Sequence, residues 1–255
     1  SCISVCAAPT YYGYEYDVVR IGAQCWFAEN LRTAQYSNGD SLQTGLGRSS
    51  VAYDSPWYLV EEGACAYYGE GETCQAQSWG NCSGQCWAGE MDWDPCEDDS
   101  LALNTYGRLY NFQAALDPRN LCPVGWHVST DSDWQILEEH LNMAADELFG
   151  LGYRGTLNEV GVKLRADHSW WWYGTIPSDF IEGTDISGFS ALPAGNRSDI
   201  GDYSYVSDQS SFYTASTAPD GRAIVRHMNS GRKGVWRGSF NSNKIGCSIR
   251  CIKDQ

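Results

Sequence analysis

The chain is short of charge, and of positive charge most of all. Charged residues make up 19% of its 255 positions, with 17 Lys and Arg against 32 Asp and Glu, a formal net charge of -15 at pH 7. So acidic a surface repels phosphate backbones and anionic lipid, which argues against nucleic-acid and membrane-surface binding and leaves cations as the natural small partners. No apolar run reaches the roughly 18 to 20 residues that span a bilayer, and the opening "SCISVC" lacks the basic-then-apolar pattern of a leader. The expectation is a soluble, already processed chain without membrane insertion. Histidine is scarce too, with only His127, His140, His168 and His227, scattered rather than paired. The Cys82/Cys86 and Cys247/Cys251 pairs therefore lack the partners of a structural zinc site. Gly-x-Ser-x-Gly, His-Glu-x-x-His and phosphate-cradling glycine loops are absent. The many carboxylates single out no glycosidase pair, and no organic cofactor is implied.

Cysteine, glycine and aromatic residues are plentiful. The eleven cysteines are Cys2, Cys6, Cys25, Cys65, Cys74, Cys82, Cys86, Cys96, Cys122, Cys247 and Cys251. That many, without a metal cluster to absorb them, point to a disulfide framework in an oxidising, extracellular or cell-surface setting. Eleven is odd, so at least one thiol is free or joined to another chain. Gly (27), Trp (11) and Tyr (16) favour short strands and ordered loops.

Tyr16, Val18, Val19 and Ile21 read as a strand, Gly22 as a turn, and residues 25–28 as a second short apolar segment. From about residue 36 to 103 the texture becomes rich in Cys, Gly, Ser and Asn. This reads as an insertion held by disulfides rather than by an apolar core, inside one domain spanning 1–255. In residues 106–117, Leu109, Phe112 and Leu116 fall at helical spacing before Pro118, which predicts a first helix. A second is predicted after Thr130 as N-cap, with Asp131 and Asp133 in the first turn and Trp134, Leu137 and Leu141 as its buried stripe. The remainder, including "GVKLRADHSWWWYG", "SSFYTAST", "RAIVRHMN" and "GCSIRCIKD", reads as short strands on long loops.

Candidate sites were weighed against plain structural roles. His127 beside Trp126 could be a base or a ligand, but its place just before a capped helix favours a hydrogen-bonded structural histidine. Asp92, Asp94 and Asp98, then Asp185, and then Asp199 and Asp202 supply hard oxygen ligands in loops, suited to a structural calcium or simply to solvation. Trp170, Trp171, Trp172 and Tyr173 are consecutive, and neither helix nor strand buries four such side chains on one face. They are candidates for sugar stacking or a subunit contact. Asn81 and Asn196 sit in N-glycan sequons, and Asp-Ser-Leu at Asp40 and Asp99 resembles bacterial O-glycosylation sites on Ser41 and Ser100.

Five stretches, "IGAQCWFAENLR", "YGRLYNF", "CPVGWHVSTDSDW", "GTDISGFSALPAG" and "SIRCIKD", resemble in order the Fibrobacter succinogenes major paralogous domain family. More distantly they resemble the C-type lectin-like fold and its formylglycine-generating-enzyme branch. The resemblance implies an α+β, C-type lectin-like architecture: two helices on a small twisted antiparallel sheet, first and last strands adjacent, with long disulfide-stapled loops. It also implies a Cys122–Cys251 staple and a Cys25–Cys247 bridge between facing strands; Cys65 and Cys96, of the cysteine-rich insertion, are read as disulfide cysteines too. The function then expected is a secreted, non-enzymatic bacterial surface or matrix module that self-assembles into an oligomer or fibre. The alternatives are a glycan-binding adhesin and a thiol oxidase using Cys247 and Cys251.

Overall fold

A computed structural model describes residues 6–47, 54–67, 70, 99–167 and 180–255. Along the chain lie β1 (Thr10–Tyr11), β2 (Tyr14–Glu15), β3 (Val18–Ile21), β4 (Gln24–Phe27), α1 (Pro56–Leu59), β5 (Cys65–Ala66), α2 (Asp99–Tyr106), β6 (Leu109–Tyr110), α3 (Phe112–Leu116) and β7 (Trp126–Val128). Then follow α4 (Asp131–His140), β8 (Gly152–Arg154), α5 (Val160–Leu164), β9 (Ala194–Arg197), β10 (Tyr203–Val206), β11 (Gln209–Thr217), β12 (Ala223–Asn229), β13 (Val235–Gly238) and β14 (Cys251–Lys253). The class is α+β. A four-stranded sheet runs β3-β4-β14-β7 and a six-stranded sheet runs β10-β9-β11-β12-β13-β8, with two-stranded β1-β2 and β5-β6 pairs beside them.

The end of the chain lies inside the four-stranded sheet. Ile252 pairs with Trp26 on one side and His127 on the other, so early and late segments close on each other. Gly22 makes the β3–β4 hairpin possible: its φ of +61° is cheap only without a Cβ.

The longer expected helix forms as α4. Thr130 accepts from the Asp133 backbone N–H while the Asp133 carboxylate accepts from that of Thr130, a complete capping box. Trp134 and Leu137 are fully buried between the sheets, among Trp26 and Ile252 of one and Phe212, Met228 and Val235 of the other. The Trp134 ring lies 5.5 Å from Trp26, 5.2 Å from Phe189 and 5.6 Å from Phe212. Removing a tryptophan so enclosed costs about 3–5 kcal/mol.

Three local expectations are corrected. The first helix spans only Phe112–Leu116, because Leu109 and Tyr110 pair with Ala66 and Cys65 as a strand and the Asn111 side chain caps Ala114 N–H. The segment "GVKL" is helical in α5, where Gly161 presses on the Gly234 carbonyl so closely that a Cβ would sit 2.4 Å from it. The described part of the insertion does hold apolar packing, Trp57 and Ala64 with Ala66, Ala102, Leu109 and Tyr203, while residues 71–98 lie outside the described residues.

Candidate functional site

The six cysteines among the described residues divide into bridges and buried thiols. Cys122 and Cys251 are bonded, as the resemblance implied, with Cα atoms 5.9 Å apart, which pins the approach to α4 onto β14. Cys25 is bonded to Cys6 and not to Cys247. Strand register explains the correction. With Ile252 opposite Trp26, Cys25 falls opposite Lys253, six positions and roughly 20 Å along the chain from Cys247 at ~3.3 Å per residue.

Cys65 and Cys247 are free, fully buried thiols. Cys65 thus departs from the disulfide role expected of it. Each pairs with Tyr110, one from either side, so about 10 Å of sheet separates them, beyond the roughly 7 Å that a disulfide tolerates. Burial pushes the Cys65 thiol up to about 12, and burial holds Cys247 well above its ordinary value beside the Tyr213 hydroxyl. Both are therefore protonated and poorly nucleophilic at neutral pH. The thiol pair that the oxidase alternative needs is not assembled, since the Cys251 sulfur belongs to the bridge with Cys122.

His127 stands between two carboxylates, with Nδ1 2.6 Å from Asp254 and Nε2 3.2 Å from Asp133. The Asp133 hydrogen bond, opposed by burial and helped by Asp254, raises its pKa. It ties β7, the α4 N-terminus and the chain end together, which is a fastening role. His227 is different: its Nδ1 lies 3.0 Å from Ser211 Oγ, and burial pulls its pKa down to about 4. Asp208 does not complete a relay, because its carboxylate accepts from Ser230 Oγ at 2.5 Å and from Asn229 Nδ2 at 3.2 Å.

The sequence reading missed a set of buried arginines. On the sheet face toward α4, Arg154 and Arg226 converge on fully buried Glu138, at 2.8 and 2.7 Å. Arg226 and Arg237 share Asp131 in the same way, at 2.8 and 2.7 Å. Arg250, buried and without a carboxylate in contact among the described residues, donates to Asn30 Oδ1 and to the carbonyls of Phe27, Phe189 and Ser190. Burial lowers its pKa to about 9, so it keeps its charge at neutral pH. Arg165 likewise donates to the carbonyls of Asn229, Arg232 and Ile181. The scarce cations thus hold irregular backbone in place, supplying the donors that a loop inside a protein needs. The signal available in the sequence was an arginine on the apolar side of an alternating strand, as Arg226 is in "AIVRHM".

Asp185 accepts from the Ser190 N–H and hydroxyl at 2.8 and 2.5 Å, while Asp199 and Asp202 lie near the β9–β10 turn. Among the described residues no group of three or more His, Cys, Asp or Glu side chains could hold a metal ion. Asp92, Asp94, Asp98, Cys96, Asn81 and Trp170 to Tyr173 lie outside the described residues. Asn196 is half-buried on β9, opposite Ser204.

The open side of the molecule is an edge. β8 and β10 are the outer strands of the six-stranded sheet. Beside β8, Phe149, Leu151 and Leu157 are 71%, 77% and 92% exposed, three large apolar side chains within nine residues. Isolated exposed leucines are ordinary; three large apolar side chains on the segments flanking an edge strand mark where another chain can add.

These features define a disulfide-fastened α+β domain whose cysteines and cations maintain shape. The Fibrobacter succinogenes major domain matches residues 19–253, so the chain belongs to that family of bacterial domains. No curated protein and no solved structure matches it. The bridges fit an oxidising environment. Among the described residues, no helix is long and apolar enough to cross a membrane.

Proposed function

We propose that this protein is a secreted, non-enzymatic interaction module of the bacterial surface or matrix, C-type lectin-like in build, which assembles with copies of itself. The observation that carries the reading is the exposure of Phe149, Leu151 and Leu157 on the segments that flank β8. An open sheet with β8 at one edge and β10 at the other suits head-to-tail contact, and a heterologous contact that does not close into a ring makes a fibre. The lectin-like build draws support from the pairing of β4 with β14 and from α4 packed between the sheets.

Sedimentation velocity across a concentration series tests the assembly. The native chain is expected to form species larger than a monomer, and the triple variant F149E/L151E/L157E to sediment as a monomer of unchanged fold. A native chain that stays monomeric at all concentrations overturns the reading.

A further inference from the structure

The six-stranded sheet has a second face, turned away from α4, and it bears aromatic side chains in register. Tyr153 lies opposite Trp236, Trp236 opposite His227, and His227 opposite Ser211, across four adjacent strands. The Trp236 indole folds over Gly238: a Cβ there would sit 2.5 Å from its Cζ2 and Cη2 atoms. Glycine is what lets the ring lie flat on the sheet. Phe240 continues the surface, its ring within 16° of parallel to Trp236 at 6.0 Å between centroids. His227 stands at 90° to the indole, its Nδ1 facing Ser211, and Nε2 has no hydrogen bond among the described residues. Trp236 and Phe240 are half-buried against the core and Tyr153 is 39% exposed, so the pavement is partly open to solvent.

Two described cations border it, Arg222, which reaches the Phe240 carbonyl, and Arg232. Arg232 is exposed and lies over the Tyr153 ring, 5.5 Å from its centroid. It has no carboxylate partner among the described residues, whereas its neighbour Lys233 is paired with Glu159 at 2.6 Å and Arg222 with Asp220 at 2.6 Å. Asp208, which with Arg232 acts electrostatically on Tyr153, is engaged by Ser230, Asn229 and Gln209. An unpaired guanidinium beside flat aromatic rings, on a chain of net charge -15, is complementary to a ligand with an apolar ring face and an isolated carboxylate. A polyanion such as nucleic acid would meet the net charge with Arg232 alone, among the described residues of this face, lacking a carboxylate partner to offset it.

We propose that Tyr153, Trp236, Phe240 and Arg232 form a binding site for an acidic saccharide, with sugar rings stacked on the aromatic pavement and a uronate carboxylate held by Arg232. The site uses side chains other than Phe149, Leu151 and Leu157, so it stands whether or not the chain assembles through β8.

Titration calorimetry of the full chain with trigalacturonate and with a glucuronate-containing hyaluronan tetrasaccharide tests this, with neutral maltotriose alongside. At least one acidic probe is expected to bind, and to bind more tightly than maltotriose. R232Q should weaken that binding about tenfold or more, and W236A should abolish it. Because Trp236 also touches the core, near-ultraviolet circular dichroism is recorded for both variants; R232Q changes only a surface side chain and keeps the test decisive if W236A loses its fold. Absence of binding to both acidic probes, maltotriose binding as tightly as they do, or unchanged affinity in R232Q overturns the proposal. So does a loss of self-association in R232Q without any loss of saccharide binding, which would make this face a contact between copies.

Discussion

Replacing Glu138 with glutamine keeps the shape of the side chain and removes its charge from the most enclosed ion cluster in the molecule. Glu138 is fully buried on α4 and accepts from Arg154 Nη1 and Nη2 at 3.0 and 2.8 Å and from Arg226 Nε at 2.7 Å. Breaking a buried pair on one side typically costs about 3–5 kcal/mol, because the surviving charge stays in the interior without its counter-ion. Here the loss falls near the lower end. Arg226 keeps Asp131 at 2.8 Å, and Arg154 keeps the Leu148 carbonyl at 2.8 Å. We expect E138Q to lose about 3 kcal/mol, read as a lower urea midpoint under non-reducing conditions. In a chain of this size the melting temperature should fall by roughly 6–12 °C. A double-mutant cycle with R154M isolates the contact, and a coupling energy above about 1 kcal/mol is expected for directly bonded partners. A loss under about 1 kcal/mol, or strict additivity with R154M, would refute the claim that Glu138 neutralises the arginines that hold α4 to the sheet.

The other predictions concern the remaining fastenings. His127 has a raised pKa, chiefly from Asp133, so its contribution is fully present below the ordinary histidine value of 6.5 and is lost as pH rises through the higher folded value. Burial favours protonation of Asp133, but bonds from His127 and Thr130 win and lower its pKa, so its contribution is lost only as pH falls through that depressed value. H127Q should therefore flatten the fall in stability above pH 6.5, as measured by urea midpoints from pH 5 to 9. Paired C122S/C251S substitution removes a bridge of sequence separation 129 and C6S/C25S one of separation 19. The first should cost more, about 4 to 5 against roughly 3 kcal/mol in the loop-entropy picture, and equal losses would count against it. R250K should lower stability by about 1–3 kcal/mol, because one ammonium cannot reach all four of the oxygens that Arg250 serves; thermal unfolding checks it.

What could be read from the sequence was what local chemistry dictates. The Thr130 cap, the Asp133 partner and the Trp134–Leu137–Leu141 stripe specify α4 without help from distant residues, and the family resemblance carried the Cys122–Cys251 bridge. The Cys25–Cys247 pairing failed because strand adjacency does not give register: both residues lie on early and late segments that meet, yet Cys25 lies opposite Lys253. The short first helix failed because Leu109 and Tyr110 are drawn into pairing with Cys65, Ala66 and Cys247, a tertiary demand stronger than helical spacing. The pavement of Tyr153, Trp236 and Phe240 was invisible for a related reason. Its members come from a β8–β13 pairing between segments more than eighty residues apart and from the space above Gly238, neither of which has a local signature.

The described cysteines are fastenings and buried fillers rather than a reactive centre. A non-reducing peptide map of native protein, alkylated before and after denaturation, tests it most directly. The expected result is Cys6–Cys25 and Cys122–Cys251 as bridges, with Cys65 and Cys247 labelled only after unfolding. Cys247 and Cys251 both labelled in the native protein would contradict the account and return the thiol pair to consideration as a catalytic site.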